Sequence, residues 1–161
     1  MSHDITIRPV TAHDLPQVLA FIRELAVYER LEAQVVATEA DLELALFGPQ
    51  PYAEVVFACL AGTPVGFALF FHNFSTFLGK PGIYLEDLFV RPAARGRGVG
   101  KCLLSWLART TLARGCARLD WAVLDWNAPS IGFYRNLGAV ALDDWKTFRL
   151  VGAGLERLAG G

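Results

Sequence analysis

Long apolar runs are missing from this chain. Its hydrophobic stretches are interrupted by glycine, proline and charge well short of the roughly 20 residues a bilayer span needs, so no transmembrane segment is expected. A charge excess of either sign is missing too. Fifteen Lys and Arg stand against sixteen Asp and Glu, a net charge of -1. That balance gives no broad positive field for nucleic acid or an acidic membrane, and suits a small neutral or cationic ligand better. Cysteine is scarce: Cys59, Cys102 and Cys116 are odd in number and lack C-x-x-C spacing, which argues against a disulfide framework and a cysteine-rich zinc site. Histidine is equally scarce. His3, His13 and His72 have no paired ligand spacing, so no metal is expected. The opening M-S-H-D-I-T-I-R-P has no basic head followed by an apolar stretch, so no secretory signal is expected and the chain is read as cytoplasmic.

Apolar residues, by contrast, make up 53% of the 161 residues and charged ones 19%, enough for a substantial core and too apolar for disorder. No repeat, low-complexity tract or linker interrupts it, so residues 1–161 read as a single α/β domain. A strand is expected over Ile5 to Arg8. Thr11 with Asp14, and Thr38 with Asp41, carry helix N-cap spacing, which predicts helices to about Arg30 and about Phe47. Glu54 to Leu60 and Val65 to Phe71 read as a hairpin, and Ile83 to Val90 as a further strand. Apolar positions after Gly100 recur at helical spacing until Gly115, a C-cap residue. Leu119 to Leu124 is the next strand, and Ala128 to Leu137 a short helix between Asn127 and Gly138. Two weaker strands are expected near Val140 and Phe148, giving a mixed sheet with helices packed on it.

Between the Ile83 strand and the following helix lies Arg95-Gly96-Arg97-Gly98-Val99-Gly100-Lys101. Glycines at such a junction let main-chain N–H groups approach an anion, and the helix start adds unpaired donors and the positive end of its dipole, an environment that suits a pyrophosphate. The spacing fits neither the Walker loop nor the dinucleotide G-x-G-x-x-G; it fits R-x-x-G-x-G, with Arg95, Gly98 and Gly100. Upstream, Glu86 and Asp87 sit side by side in an otherwise apolar strand. Adjacent strand residues face opposite sides, so one carboxylate has to look into an interior or a cleft, unless a bulge or an edge position leaves both in water.

R-x-x-G-x-G between an apolar strand and an amphipathic helix resembles the coenzyme A-binding motif of the GNAT N-acetyltransferase superfamily. The element order agrees with the GNAT fold from Ile5 to Leu150: a mixed, mostly antiparallel sheet of about seven strands, splayed in the middle and flanked by helices. The blocks I-R-P near the start, L-A-V-Y-E around Tyr28, Y-L-E-D-L-F-V around Glu86 and W-N-A-P-S-I-G-F-Y-R-N-L-G-A around Tyr134 are similar to the diamine acetyltransferases, the spermidine/spermine and thialysine acetyltransferase group.

The resemblance implies acetyl-CoA-dependent N-acetylation of a small aliphatic amine by direct transfer in a ternary complex. A primary amine with pKa near 10.4 is only about one part in two thousand neutral at pH 7, a deficit of about 4.6 kcal/mol that a base must offset. Glu86 is the implied base. Tyr134, in the F-Y-R-N-L-G block, is the implied acid for the departing thiolate, since a phenol near pKa 10 can donate that proton. Asn127, Ser130 and Tyr134 recur at i, i+3 and i+7 on one helix face, where the first two could hold the pantetheine arm or the adenosine phosphates. By the same resemblance, main-chain groups of Leu88, Phe89 and Val90 pair with pantetheine, and Arg95, Gly96, Arg97, Gly98, Val99, Gly100 and Lys101 cradle the pyrophosphate. Tyr28, Glu29, Glu86 and Asp87 meet the amine, with Glu32 one turn beyond. Ala33 stands where the family often has another acid, and Phe77 replaces a tryptophan-containing segment. This loss of charge counts against a long tri- or tetra-amine and makes a diamine or a thialysine-like amine at least as good a candidate as a polyamine. A homodimer with Trp145 to Val151 near its interface is also implied. Acetylation of a protein amine or an aminoglycoside, and a coenzyme A-binding module without chemistry, are the alternatives.

Overall fold

The computed structural model describes residues 5–161; His3 and the first four residues of the segment read for a signal lie outside the described residues. The chain divides into two compact units, one ending at Ala122 and the other spanning residues 123–161.

In the first unit, β1 (Ile5–Pro9), β2 (Glu54–Leu60), β3 (Thr63–Ser75) and β4 (Lys80–Val90) form successive antiparallel pairs. β5 (Leu119–Trp121) adds to β4 in parallel, completing a five-stranded mixed sheet in the order β1-β2-β3-β4-β5. Period-two alternation on β2 sends Val55, Phe57 and Cys59 to one face, where they bury against Val18, Phe21 and Leu25 of α1 (Leu15–Tyr28) and Leu42 and Leu46 of α2 (Glu39–Phe47). Phe21 is the centre of that layer. Its ring stacks on Phe67 at 5.4 Å between centroids and meets Phe57 edge-on at the same separation. The other face carries α3 (Val99–Ala113), whose Leu103 and Leu107 are fully buried and whose Trp106 meets Phe70 of β3 edge-on at 5.8 Å.

The helix boundaries follow from local chemistry. Thr38 caps α2 by accepting the Asp41 N–H while the Asp41 carboxylate accepts the Thr38 N–H, the reciprocal pair its spacing predicts. Asp14 likewise accepts the Thr11 N–H at 2.8 Å, here closing a 3-10 turn that leads into α1. α1 stops at Tyr28, short of the expected Arg30. Arg30 adopts the left-handed conformation (φ 60°), and the Leu31 N–H returns to the Ala26 carbonyl, a Schellman closure built on arginine where glycine is usual. Gly115 ends α3 in the same way, as its position predicts.

The second unit holds α4 (Ala128–Asn136) and α5 (Gly152–Gly160). Asn127 caps α4 by accepting the Ser130 N–H, and Gly138 (φ 90°) closes it. Here two expectations fail. Among the described residues no strand forms near Val140 or Phe148, and the expected strand over Leu119 to Leu124 ends at Trp121, so the sheet has five strands instead of about seven. Strand preference is expressed only where a partner strand and a covered face exist, and Val140 and Phe148 are 83% and 92% exposed. α5, with three glycines in nine residues, was not expected from its composition.

Candidate functional site

One irregularity in β4 builds the site. β3 alternates without interruption: Leu69 packs on the α1 side and Phe70 meets α3 on the other. Across the ladder, Leu85 stands opposite Phe70 but Asp87 stands opposite Leu69, so β4 contains one extra residue, Glu86. Cross-strand partners share a face. Residues 85 and 87 would ordinarily share one; the bulge leaves Leu85 in the α3 layer and puts Asp87 on the α1 side, where α1 ends at Tyr28 and Glu29.

The acids expected to face opposite sides of a regular strand therefore act on one another. Burial pushes the Asp87 carboxyl up to about 7, with the Glu86 and then the Glu29 charge adding to the rise. Glu29, half-buried after the last residue of α1, is raised by burial and then by Glu86. The Tyr84 phenol is raised by burial, by Glu86 and by Asp120. Glu86 itself is exposed on the bulge. Glu32 lies exposed in a 3-10 turn. The result is a cluster of carboxyls beside a tyrosine, with a proton available to share near neutral pH, which suits a cation that must lose a proton.

The far edge of the strand opens at the same point, because β5 ends at Trp121. The parallel ladder to β5 covers only Ile83, Tyr84 and Leu85, so from Glu86 to Val90 the far edge of β4 has no strand neighbour among the described residues. The Arg91 N–H bonds the Val65 carbonyl on β3 at 2.9 Å; because a trans peptide points its C=O and N–H oppositely, the Val90 carbonyl faces that open edge. Along Leu88 to Val90 the acceptor turned to this edge is thus the Val90 carbonyl, a group that an amide-bearing chain can bond. Arg91 anchors this end of β4 to α1, bonding Glu24 at 2.8 Å and lying over the Phe21 ring at 4.6 Å.

Past a 3-10 turn over Pro92–Ala94 the chain reaches the glycine loop. Gly96 (φ 73°) and Gly98 (φ 84°) are both left-handed, and Gly98 caps α3. The glycines are needed for backbone conformation here; a Cβ at either would meet nothing within 4 Å. Val99, Gly100 and Lys101 form the first turn of α3, whose N–H groups have no carbonyl one turn back, and Arg95, Arg97 and Lys101 are exposed. Left-handed glycines, a helix start and three cations fit a diphosphate.

The structure thus gathers Tyr28, Glu29, Glu86, Asp87, Leu88, Phe89, Val90 and the 95–101 loop within the first unit. It adds Tyr84, which sequence reasoning passed over as a strand residue; only its place two residues before Glu86 hinted at it. Asn127, Ser130 and Tyr134 belong to the second unit, on α4: Asn127 is buried with its side-chain carbonyl engaged as the helix cap, and Tyr134 is half-buried beside Phe133 at 5.6 Å.

Comparison with known proteins places this architecture. The sequence model of the acetyltransferase (GNAT) family matches residues 19–139. A thialysine N-epsilon-acetyltransferase of Bos taurus is 36% identical over 167 residues, covering 97% of this chain and 98% of that protein. The L-ornithine N5-acetyltransferase of Arabidopsis thaliana is 31% identical, covering 94% of this chain and 86% of that protein. Among solved structures, an integron cassette protein from the mobile metagenome of V. cholerae superposes with a TM-score of 0.81 at 29% identity, covering 100% of this chain and 99% of that one. With a family match running through the bulged strand and the glycine loop to the end of α4, this chain belongs to the GNAT family and is an N-acetyltransferase.

Proposed function

We propose that the protein transfers an acetyl group from acetyl-CoA to the terminal amine of a small aliphatic substrate, a diamine or a thialysine-like amino acid, directly within a ternary complex. The observation that carries this reading is the bulge at Glu86, which sets carboxyls at the end of α1 just where the β4 edge runs unpaired toward the glycine loop. The names of the two relatives support the substrate class, since both put the acetyl group on the terminal nitrogen of a small amino acid.

In this reading the main chain of Leu88, Phe89 and Val90 pairs with the pantetheine arm, and Arg95 to Lys101 hold the diphosphate. Asn127 and Ser130 contribute from α4. The thioester supplies the activated acetyl group. Glu29 and Asp87 hold the ammonium, and Glu86 accepts, directly or through water, the proton that frees the nitrogen lone pair for attack on the carbonyl carbon. Main-chain groups near Phe89 polarise that carbonyl. As the carbon–sulfur bond breaks, the Tyr134 hydroxyl protonates the leaving sulfur and recovers a proton from the nitrogen, which sheds its second one to become the amide, so the products are the N-acetylated amine, free coenzyme A and the proton held by Glu86. The family match spans both compact units, which supports residues 1–161 acting as one GNAT domain. A cytoplasmic homodimer, with exposed Trp145, Phe148 and Val151 near the contact between copies, belongs to the same proposal.

The test is thiol release from acetyl-CoA with a panel of diamines, polyamines, thialysine, ornithine, an aminoglycoside and a lysine peptide. Turnover with the short amines is expected to exceed that with the rest. Tight coenzyme A binding with no thiol released from any amine overturns the assignment, and faster turnover of the peptide or the aminoglycoside overturns the substrate class.

A further inference from the structure

We propose that Arg95 is a positioning residue through which cofactor loading controls admission of the amine; the inference rests on the functional reading above. The Arg95 guanidinium does not reach out from the glycine loop. It folds back, donating its Nε–H to the Val90 carbonyl at 2.8 Å and lying over the Tyr28 ring at 4.9 Å and the Phe89 ring at 5.6 Å. Each of these contacts takes something the reaction needs. The Val90 carbonyl is the acceptor turned toward the open strand edge, where the pantetheine arm would bond. Tyr28 ends α1 beside Glu29, and its ring face is a place where an incoming ammonium would rest by cation–π attraction. A guanidinium standing there excludes a second cation both by occupancy and by like charge.

The same side chain cannot fork onto a phosphate while its Nε–H is bonded to Val90 and its face lies on two rings. A diphosphate seated on the loop supplies the stronger, doubly bonded partner a residue away, and a pantetheine amide replaces Arg95 at the Val90 carbonyl. Arg95 is exposed, so the exchange needs no repacking of the core. Once it turns to the phosphate, the guanidinium no longer covers the Tyr28 ring or sets a positive charge beside the acids at the end of α1. Amine binding is thereby linked to cofactor binding, and linkage makes each ligand tighten the other by the same factor.

Calorimetry tests this without turnover. Thialysine is titrated into the full-length protein with and without free coenzyme A, which has no acetyl group to give. Wild-type protein is expected to bind thialysine about tenfold more tightly when loaded, within the usual range for coupled sites. In Arg95→Gln the ratio is expected to fall to about twofold or less, mainly because the unloaded protein gains affinity for the amine. Arg95→Lys keeps the charge for the diphosphate but not the planar fork, and is expected to lower the ratio below the wild-type value when each protein is measured at a coenzyme A concentration that saturates it. A wild-type ratio near one, or a ratio unchanged in both variants, overturns the proposal. Failure of wild-type protein to bind coenzyme A at all is a separate result, and overturns the functional reading beneath it.

Discussion

Replacing Asp87 by asparagine is expected to stabilise the protein while impairing it. The carboxyl ionises near 3.8 in an unfolded chain and is pushed up to about 7 in the fold, chiefly by burial and then by Glu86 and Glu29. The folded state therefore holds a proton that the unfolded state releases between about pH 4 and pH 7, and stability contributed by the neutral acid is lost as pH rises through that window. At about 1.4 kcal/mol per unit, three units of displacement set an upper bound of about 4 kcal/mol on the penalty at pH 8; repulsion shared with two neighbouring acids brings the expected gain for Asp87→Asn nearer 2 kcal/mol. Urea unfolding followed by tryptophan fluorescence between pH 4 and pH 8 measures it. Wild type and variant should coincide at the acid end and separate steadily toward pH 8, with the variant the more stable, while amine acetylation by the variant falls. A difference that stays flat across the range, or a variant less stable at pH 8, would refute the argument that this carboxyl is held against its own ionisation.

Other outcomes follow from other parts of the fold. Tyr134→Phe should lower turnover by about 10² or more with little change in coenzyme A affinity if its hydroxyl supplies the leaving-group proton; full activity removes it from that role. Gly98→Ala meets no steric obstacle but must hold φ 84°, so it should cost about 1–2 kcal/mol in thermal unfolding and weaken coenzyme A binding measured by calorimetry. Phe21→Ala removes a fully buried ring from between Phe57 and Phe67, an expected loss of about 3–5 kcal/mol in denaturant unfolding. Light scattering should return about twice the 17.6 kDa chain mass if two copies associate, and the chain mass itself if they do not.

Several parts of this structure were legible because the relevant physics is local. Thr38 with Asp41 and Gly115 after α3 declare helix ends through bonds made within a few residues, and the glycine loop announces its left-handed turns by composition. Glu86 and Asp87 were noticed for the opposite reason, as charges out of place in an apolar strand. What their own sequence does not contain is the register of β4 on β3: the alternation rule assigns the two acids to opposite faces, and only the partner strand, through Leu69 and Phe70, reveals the additional residue. Arg95 was recognised as a cation in an anion-binding turn, yet its resting partners lie as far back as position 28, a proximity no spacing rule contains. The segment around Val140 and Phe148 has strand-forming residues but no neighbour to pair with, so its propensity goes unexpressed. α1 ends early because a single arginine takes a conformation usually left to glycine.

The inserted residue in β4 also limits how the protein can change. Substitution at positions 29, 84 or 86 alters the acidity of the carboxyl cluster while leaving the strand's course intact, one side chain at a time. Deleting position 86 is a different kind of event. Leu85 would then adjoin Asp87 with the pairs Phe70–Leu85, Leu69–Asp87 and Phe67–Phe89 unchanged, so every later residue would keep its face, and the strand would lose its bulge together with the Glu86 carboxylate. The extra residue is therefore carried for the local bend and the carboxylate it presents, while the faces of the residues after it are set by β3.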